Sequence, residues 1–486
     1  MRRFRWTLIV VVVSMISCYA YAGGMTVVNG RYFSDASGTP KFMIGYQDYS
    51  MASTLTTSYY TIDDYINAYA PYGVNYIRTL VSQCQYSATT SPPSVDDSTS
   101  RTPFLYVNGK VDLDQWDPAF WANLRADIEH AATHGIFMHL TIFDGVTLGY
   151  YGGGPWGWIG SDWNIDRQSR NFFGDLDTED DGTPTASNEF YNTTAFNAGT
   201  GVGYYQKRLI DKTIAETGGY ANVFYEVGNE TGLGNGPEWS TAVRNYIITK
   251  TSKPVTLNSC PDWATCVPPA NAGGWTNHGP DTPAEVKSYI AADVQGLTYP
   301  YMIDPDGSDM MDCSEADCRK AAWYSLTGGA WGWGGFSTDW FPPPKPNAPN
   351  FTKLSYYGYL LGFLDNNAVR FWEMTPHQSL ISTNTTNSLL ANVGAQYLAY
   401  VLSGATVNIT LDTGTYSVKY FNPVTGVTTS GTNTIGPATR TFSRPTGASD
   451  WVVFVSKNTA LHGGGAPAQD TVPLKRPSVP SMLTVR

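Results

Sequence analysis

Positive charge is scarce in this 486-residue sequence, which has 30 lysines and arginines against 41 aspartates and glutamates. Its formal net charge is −11 at pH 7. A chain this acidic lacks the basic surface with which proteins bind nucleic acids or anionic membranes. We therefore expect neither partner, and a neutral ligand fits the composition better.

Long hydrophobic runs are also lacking, since a membrane-spanning helix needs roughly 20 apolar residues. The run TLIVVVVSMIS, which begins at Thr7, is shorter, follows three arginines and precedes small residues at Ala20 and Ala22. This order is typical of a secretory signal peptide. It predicts a signal peptide over residues 1–22 and a secreted or periplasmic protein; the alternative is a lipoprotein anchored through Cys18.

Cysteine is limited to six residues, and no CxxC motif or paired histidine accompanies them. Zinc, which needs such ligand spacing, is therefore the weaker interpretation. Cys260 and Cys266 lie close together in the sequence, as do Cys313 and Cys318, whereas Cys84 stands alone once the signal peptide is removed. We predict two short-loop disulfides, which suit an oxidising compartment.

Aromatic residues are abundant, at 14% of the chain against 15% for charged residues. Most of them are expected in the hydrophobic core, but the excess suits stacking against sugar rings. A carbohydrate is therefore the partner that the composition favours.

Residues 25–375 show short apolar runs that alternate with helix-like stretches, beginning with KFMIGYQDY, VNYIRTL, IFMHLTIFD and NVFYEV. One helix is clearly marked by Asp117 as N-cap, Pro118 in the first turn and Gly135 as the stop. Four further strand-like runs follow: PVTLNS, GWTNHG, YPYMI and AWGWGGF. Eight strands alternating with helices predict an α/β fold, a (β/α)8 TIM barrel.

The pattern changes to alternating strands separated by Gly, Asn and Pro turns over residues 376–457. This part of the chain predicts a small all-β sandwich domain after the barrel. Residues 458–486 contain little to bury and are expected to form a disordered tail. A monomer is the working expectation.

The segment NVFYEVGNE places Glu230 at the end of the fourth predicted strand. In a (β/α)8 barrel, the carboxyl-terminal ends of the strands surround the active site. A glycosidase needs one carboxylic acid to protonate the leaving oxygen and a second carboxylate to attack the sugar or to activate water. Glu230 is therefore the candidate proton donor, and Asn229 beside it could bind a sugar hydroxyl.

This segment resembles the Asn-Glu signature of the large clan of retaining glycoside hydrolase barrels that includes the cellulase, β-mannanase and apiosidase-like families. Within the clan, the opening NGRYFSDASGTPKFMIGYQ is similar to apiosidase-like proteins. The segment GTYSVKYFNPVTG resembles a terminal β-sandwich often described as collagen-binding. The likeness covers roughly residues 26 to 456 and implies a secreted glycosidase.

The resemblance implies roles for individual residues. Glu230 would be the general acid/base, and Asn229 would contact the sugar 2-hydroxyl. Arg78, which closes VNYIR, would orient the nucleophile, and His278 in GWTNHG would match the group presented by strand six. Two structural alternatives stay open: Arg78 as a salt-bridged barrel residue, and His278 as a loop residue.

Strand seven departs from the clan's pattern. The clan's nucleophile is a glutamate, but YPYMIDPDG supplies Asp304 and Asp306. Asp304 is the first candidate for nucleophile or base, with Asp306 close behind, and one of them is expected to serve only in the turn before Gly307. Because aspartate is shorter than glutamate, both a retaining and an inverting geometry stay open.

Two weaker signals concern sugar stacking and calcium. Trp156, Trp331 and Trp333 lie near predicted strand ends and are candidate sugar platforms, with Trp331 and Trp333 expected to share one face of a strand. Oxygen ligands also alternate at positions 177 to 181, which predicts a structural calcium loop or, alternatively, a solvated acidic loop. The residues concerned are Asp177, Glu179 and Asp181. No other cofactor is expected.

The sequence therefore predicts a secreted glycoside hydrolase that acts by a two-carboxylate mechanism, with retention of configuration as the first expectation. The alternative is a carbohydrate-binding or adhesive protein built on a glycosidase barrel that has lost its second carboxylate.

Overall fold

The computed structural model describes residues 25–48, 61–82, 102–107, 110–144, 190–229, 231, 236–258, 275–277, 282–293, 300–303, 313–334, 354–382 and 386–458. The predicted signal peptide and the tail beyond residue 458 lie outside this set.

Eight strands pair in parallel to form the central sheet of a (β/α)8 barrel. They are β4 (Met43–Asp48), β5 (Tyr76–Leu80), β8 (Phe137–Asp144), β9 (Val223–Asn229), β10 (Val255–Thr256), β11 (Trp275–Asn277), β12 (Tyr301–Ile303) and β13 (Gly332–Trp333). Strands that follow one another among these eight are paired, except that the described residues of β10 and β11 form the two ends of the sheet, and β13 returns to pair with β4. This arrangement confirms the predicted fold class.

Helices follow the strands and cover the outside of the sheet: α1 (Ile62–Tyr69), α2 (Pro118–Thr133), α3 (Thr193–Ala198), α4 (Val202–Thr217), α5 (Gly236–Ile247), α6 (Pro283–Asp293), α7 (Glu315–Gly328) and α8 (Leu354–Asn366). The signals read for α2 are confirmed. Asp117 accepts a hydrogen bond of 2.9 Å from the backbone N–H of Ala119, and Gly135 follows the helix with a φ of +69°. Asp117 thus begins the helix and Gly135 ends it where the sequence predicts.

A short antiparallel sheet precedes the barrel and closes its amino-terminal end. It consists of β1 (Thr26–Val28), β2 (Tyr32–Ser34) and β3 (Pro40–Lys41). Phe33 lies against Trp331 and Phe224, with ring centroids 4.8 Å and 5.4 Å away. Since Trp331 precedes β13 and Phe224 lies near the start of β9, these rings fill the end of the barrel opposite the strands' carboxyl ends.

One hairpin was not predicted: β6 (Phe104–Val107) and β7 (Lys110–Trp116) pair antiparallel between β5 and α2. Phe104 stacks on Trp116 with centroids 5.1 Å apart. The sequence carries a hairpin signal at this place, because Asn-Gly at 108–109 separates two runs of strand-forming residues.

The C-terminal domain is all β, as predicted, with β14 (Thr375–Pro376), β15 (Ser388–Asn392), β16 (Gln396–Val401), β17 (Thr406–Asn422), β18 (Val427–Ser430), β19 (Thr434–Ser443) and β20 (Trp451–Lys457). The 17-residue β17 pairs with β19 along its first part and with β20 and β18 along its second. One face of the β16–β20 pair contributes Tyr397 and Val453 to the domain's own core, and the other turns Leu398 and Phe454 toward the barrel.

The barrel and the sandwich share a buried interface at α7 and α8. Trp323 on α7 stacks on Tyr400 with an interplanar angle of 13°, and Phe363 on α8 lies 4.5 Å from Phe421, centroid to centroid. The sandwich therefore packs as part of one continuous core rather than as a tethered module.

Cys313 and Cys318 form a disulfide with their Cα atoms 5.5 Å apart, which confirms one predicted pair. Cys84, Cys260 and Cys266 lie outside the described residues. No helix of the described chain is both long and apolar enough to cross a bilayer.

The ion pair between Arg319 and Asp450 is buried in the interface between barrel and sandwich, where the two side chains are 7% and 3% exposed. The guanidinium donates to both carboxylate oxygens at 3.1 Å and 2.9 Å, and Tyr400 donates to one of them at 2.9 Å. Burial alone would raise the pKa of Asp450, but these donors hold its pKa below the usual range.

We expect Asp450→Asn to destabilise the protein by about 3 to 5 kcal/mol, because it leaves a buried guanidinium without its counter-charge. Urea unfolding followed by tryptophan fluorescence would measure the change. The matched control is Asp412→Asn in the same domain, at an exposed carboxylate that accepts from the adjacent Thr413 backbone. An effect of equal size in the control would contradict the prediction. The lowered pKa also predicts that this contribution persists at pH 5 to 8 and is lost only in stronger acid.

Candidate active site

Three polar side chains meet at the carboxyl ends of β8, β9 and β10. Asp144 ends β8 and pairs in register with Asn229, which ends β9. Asn258 follows β10. All three are buried, with at most 4% of any side chain exposed. Because this is the edge of a barrel sheet at which active sites form, the cluster marks the candidate active site.

Arg78 and Glu226 form a buried ion pair beneath this cluster. The Arg78 Nε donates to Glu226 Oε1 at 3.1 Å, and Nη2 makes a second, shorter contact with the same oxygen. Thr141 donates to this oxygen at 3.0 Å, and Thr256 donates to Oε2 at 3.4 Å. The carboxylate therefore receives donors from β8 and β10, which flank its own strand β9, and from β5 beyond β8.

These donors keep Glu226 charged. Burial by itself would raise the pKa of this carboxyl, but the charge of Arg78 and the hydrogen bonds around it lower the pKa below its usual range. Glu226 therefore serves as an ionised partner for Arg78 rather than as a proton donor.

His139 lies one layer deeper in the barrel and stacks on Phe224 with centroids 4.1 Å apart. Its Nδ1 shares a hydrogen bond of 2.9 Å with the Tyr76 hydroxyl, and its Nε2 shares one of 2.8 Å with Thr256. With a neutral imidazole that carries its proton on Nε2, the Tyr76 hydroxyl donates to Nδ1 and the Nε2–H donates to the Thr256 hydroxyl. The Thr256 hydroxyl can then donate its own proton to Glu226. Burial is the main cause that lowers the pKa of His139 to about 3. The charge of Glu226 acts to raise this pKa, and the charge of Arg78 acts to lower it.

Asn229 has both ends of its amide occupied. Its oxygen accepts from Arg78 Nη2 at 3.0 Å and from Asn258 Nδ2 at 3.4 Å. Its nitrogen donates to Asp144 Oδ1 at 3.2 Å. The structure thus brings two predicted site residues, Arg78 and Asn229, into direct contact.

Glu230 itself lies outside the described residues, but the residues on both sides of it are described. Asn229 is held as above, and the backbone N–H of Thr231 donates to the Asn258 carbonyl at 3.3 Å. The Thr231 hydroxyl shares a hydrogen bond of 2.7 Å with Ser240. Asn229 and Thr231 are both fully buried, so the chain is held in place at the residue before Glu230 and at the residue after it.

The other predicted site residues lie outside the described residues, and their roles stay predictions: Asp304, Asp306, His278, Trp156, Asp177, Glu179 and Asp181. Among the residues that the structure does describe, no group of three His, Cys, Asp or Glu side chains is arranged to hold a metal ion.

Trp331 requires a correction. Its ring is fully buried and packs against Phe33, Tyr76 and Phe224, at the closed amino-terminal end of the barrel. A ring without an exposed face cannot stack on a sugar, so the predicted platform at Trp331 is wrong. Trp333 is fully buried as well and donates to the hydroxyl of Tyr357 on α8 at 3.0 Å, so the predicted platform at Trp333 is wrong for the same reason.

The sequence analysis did not select Glu226, Asp144 or Asn258. Glu373, a further carboxylate that follows α8 in the chain, does not join this cluster. Glu373 pairs with Arg370 at 3.0 Å in a short 3-10 helix, Phe371–Glu373, whose backbone contacts Asn29 near the amino-terminal sheet. It therefore belongs to the opposite end of the barrel. Asp144 carried a usable signal, since it is the last residue of the strand IFMHLTIFD.

No family model matches the chain, and no curated protein matches it in sequence. Among solved structures, it is similar to a glycoside hydrolase of family 5 from Bacteroides vulgatus, with a TM-score of 0.61 and 14% identity over 90% of this chain and 94% of that one. It is also similar to a protein described as a glycoside hydrolase, with a TM-score of 0.59 and 13% identity over 90% of this chain and 97% of that one. At these identities, the likeness shows the fold alone.

We expect His139 to stay neutral throughout the physiological range. In protein labelled with 15N-histidine, its ring nitrogen shifts should not change between pH 8 and pH 5, and the signal is assigned by its loss in His139→Gln. A titration midpoint between pH 5.5 and 7.5 would contradict the structure. Since an unfolded histidine binds a proton below about pH 6.5 and the folded one does not, this residue also lowers stability as the pH falls from 6.5.

Proposed function

We propose that this chain is a secreted glycoside hydrolase that cleaves an O-glycosidic bond with two carboxyl groups. Glu230 is the general acid/base, and Asp304, or else Asp306, is the second carboxylate. The observation that carries the proposal is the fixed chain around Glu230: Asn229 and Thr231 are both buried and hydrogen-bonded at the carboxyl end of β9.

A catalytic acid must lie within hydrogen-bond reach of the leaving oxygen, so its backbone has to be held in place. The ion pair of Arg78 and Glu226 supplies this support from below, because Arg78 also donates to Asn229. Asp304 is the next residue in the sequence after Ile303, with which β12, the seventh barrel strand, ends. The similarity in fold to proteins described as glycoside hydrolases supports the same conclusion.

In the retaining sequence, Glu230 donates its proton to the glycosidic oxygen while the aspartate attacks the anomeric carbon. The bond to the leaving group breaks as the glycosyl–enzyme ester forms. Glu230, now ionised, takes a proton from water, and the resulting hydroxide displaces the ester to give a product of unchanged configuration. In the inverting alternative, the aspartate activates water directly.

We expect Glu230→Gln to lower kcat by about 10²- to 10⁴-fold on the glycan that the wild-type protein hydrolyses fastest, because the amide cannot donate a catalytic proton. Activity against a panel of plant and microbial polysaccharides identifies that glycan. The matched control is Glu238→Gln, an exposed glutamate at the start of α5, which should retain full activity. Unchanged hydrolysis by a folded Glu230→Gln protein would refute the assignment.

The two aspartates are separated by comparing Asp304→Asn with Asp306→Asn. The one that supplies the second carboxylate should lose at least about 10²-fold in kcat, whereas the turn residue should lose little. Proton NMR of the first-formed product gives the anomeric configuration, which decides between retention and inversion. Equal and small effects of both substitutions would favour a second carboxylate elsewhere or a protein that only binds carbohydrate.

A further inference from the structure

We propose that Asp144 is a positioning residue for the hydrolysis, and that it acts by fixing the direction of the Asn229 amide. This inference rests on the proposed function, since it assigns a task to Asn229 at the sugar. It concerns a carboxylate at the end of the third barrel strand that takes no part in proton transfer or nucleophilic attack.

The amide of Asn229 can be oriented only one way in this site. Its oxygen faces two donors, Arg78 at 3.0 Å and Asn258 at 3.4 Å, and its nitrogen faces the Asp144 carboxylate at 3.2 Å. A half-turn of the amide would set N–H groups against a guanidinium and an amide donor, and a carbonyl oxygen against a carboxylate. The contacts with Arg78 and Asp144 would both become repulsive, because a guanidinium can only donate and a carboxylate can only accept.

Asp144 is the hydrogen-bond acceptor for the nitrogen of the Asn229 amide. Arg78 and Asn258 hold the oxygen, but only an acceptor can hold the nitrogen, and Asp144 provides it. An amide nitrogen carries two hydrogens, so the bond to Asp144 uses one and sets the direction of the other. That second N–H is the group with which Asn229 can donate to an oxygen of the sugar beside Glu230.

The sheet fixes the separation of the two side chains. Asp144 and Asn229 are Cα partners in the parallel ladder of β8 and β9, which continues downward through Phe143 and Gly228 to Thr141 and Glu226. Both residues are buried, at 4% and 0% exposure. The carboxylate therefore meets the amide through backbone register rather than through a flexible loop, which is the rigidity that a positioning role requires.

The first test observes the amide directly. In protein labelled with 15N-asparagine, the side-chain amide signal of Asn229 is assigned by its loss in Asn229→Asp. We expect Asp144→Ala to move this signal and to speed its hydrogen exchange, whereas Asp112→Ala, at a buried aspartate on β7, should leave it unchanged. An unmoved signal in Asp144→Ala overturns the proposal whether or not the protein hydrolyses glycans.

The second test asks whether Asp144 acts through Asn229. On the glycan that the wild-type protein cleaves fastest, we expect Asp144→Ala to lower kcat by about 10- to 100-fold, as a small misplacement of a substrate contact does. Asp144→Asn, which keeps an acceptor oxygen, should recover most of this loss. The double variant Asp144→Ala/Asn229→Ala should be no slower than Asn229→Ala alone.

The two hypotheses fail in different ways. If the losses of the two single variants multiply in the double variant, Asp144 acts independently of Asn229 and the positioning role is overturned while the hydrolase stands. If the wild-type protein cleaves no glycan of the panel, the proposed function fails, and the amide signal alone then decides whether Asp144 orients Asn229.

Discussion

The ion pair between Arg78 and Glu226 is the interaction on which the candidate site depends. Both groups are withdrawn from water, and removing an ion from water costs several kcal/mol even after the protein relaxes. The cost is offset because Glu226 also accepts from Thr141 and Thr256, while Arg78 donates to Asn229. The side chains at the mouth of the barrel are therefore arranged around a charge pair that is already satisfied.

The interior of the barrel changes character from one end to the other. At the amino-terminal end, Phe33, Trp331 and Phe224 form an aromatic layer, and His139 stacks on it through Phe224. The charged layer follows, and the polar strand ends lie above it. This order places the polar groups at the carboxyl ends of the strands. It also explains why Trp331, which precedes β13, and Trp333, which ends it, have different neighbours.

Sequence patterns were sufficient for elements with local signals. The strand runs and the capped helix α2 are found where the sequence predicts them, because caps and periodicity act over a few residues. Pairing across strands has no such local signal. Glu226 lies within an otherwise apolar strand, and only the register of β9 with β8 and β10 places Thr141 and Thr256 against it. The error at Trp331 has the same origin, since residue spacing gives the face of a strand but not the end of the barrel.

A purely apolar layer in place of Arg78 and Glu226 would hold a barrel together at least as well, because well-packed hydrophobic groups often equal or exceed a buried ion pair in stability. An apolar layer, however, has no hydrogen-bonding groups with which to orient the Asn229 amide. Arg78 donates to the oxygen of the Asn229 amide, and Asp144 accepts from its nitrogen. The buried charges thus contribute direction rather than stability, and the residue that follows Asn229 in the chain is the one proposed to donate the catalytic proton.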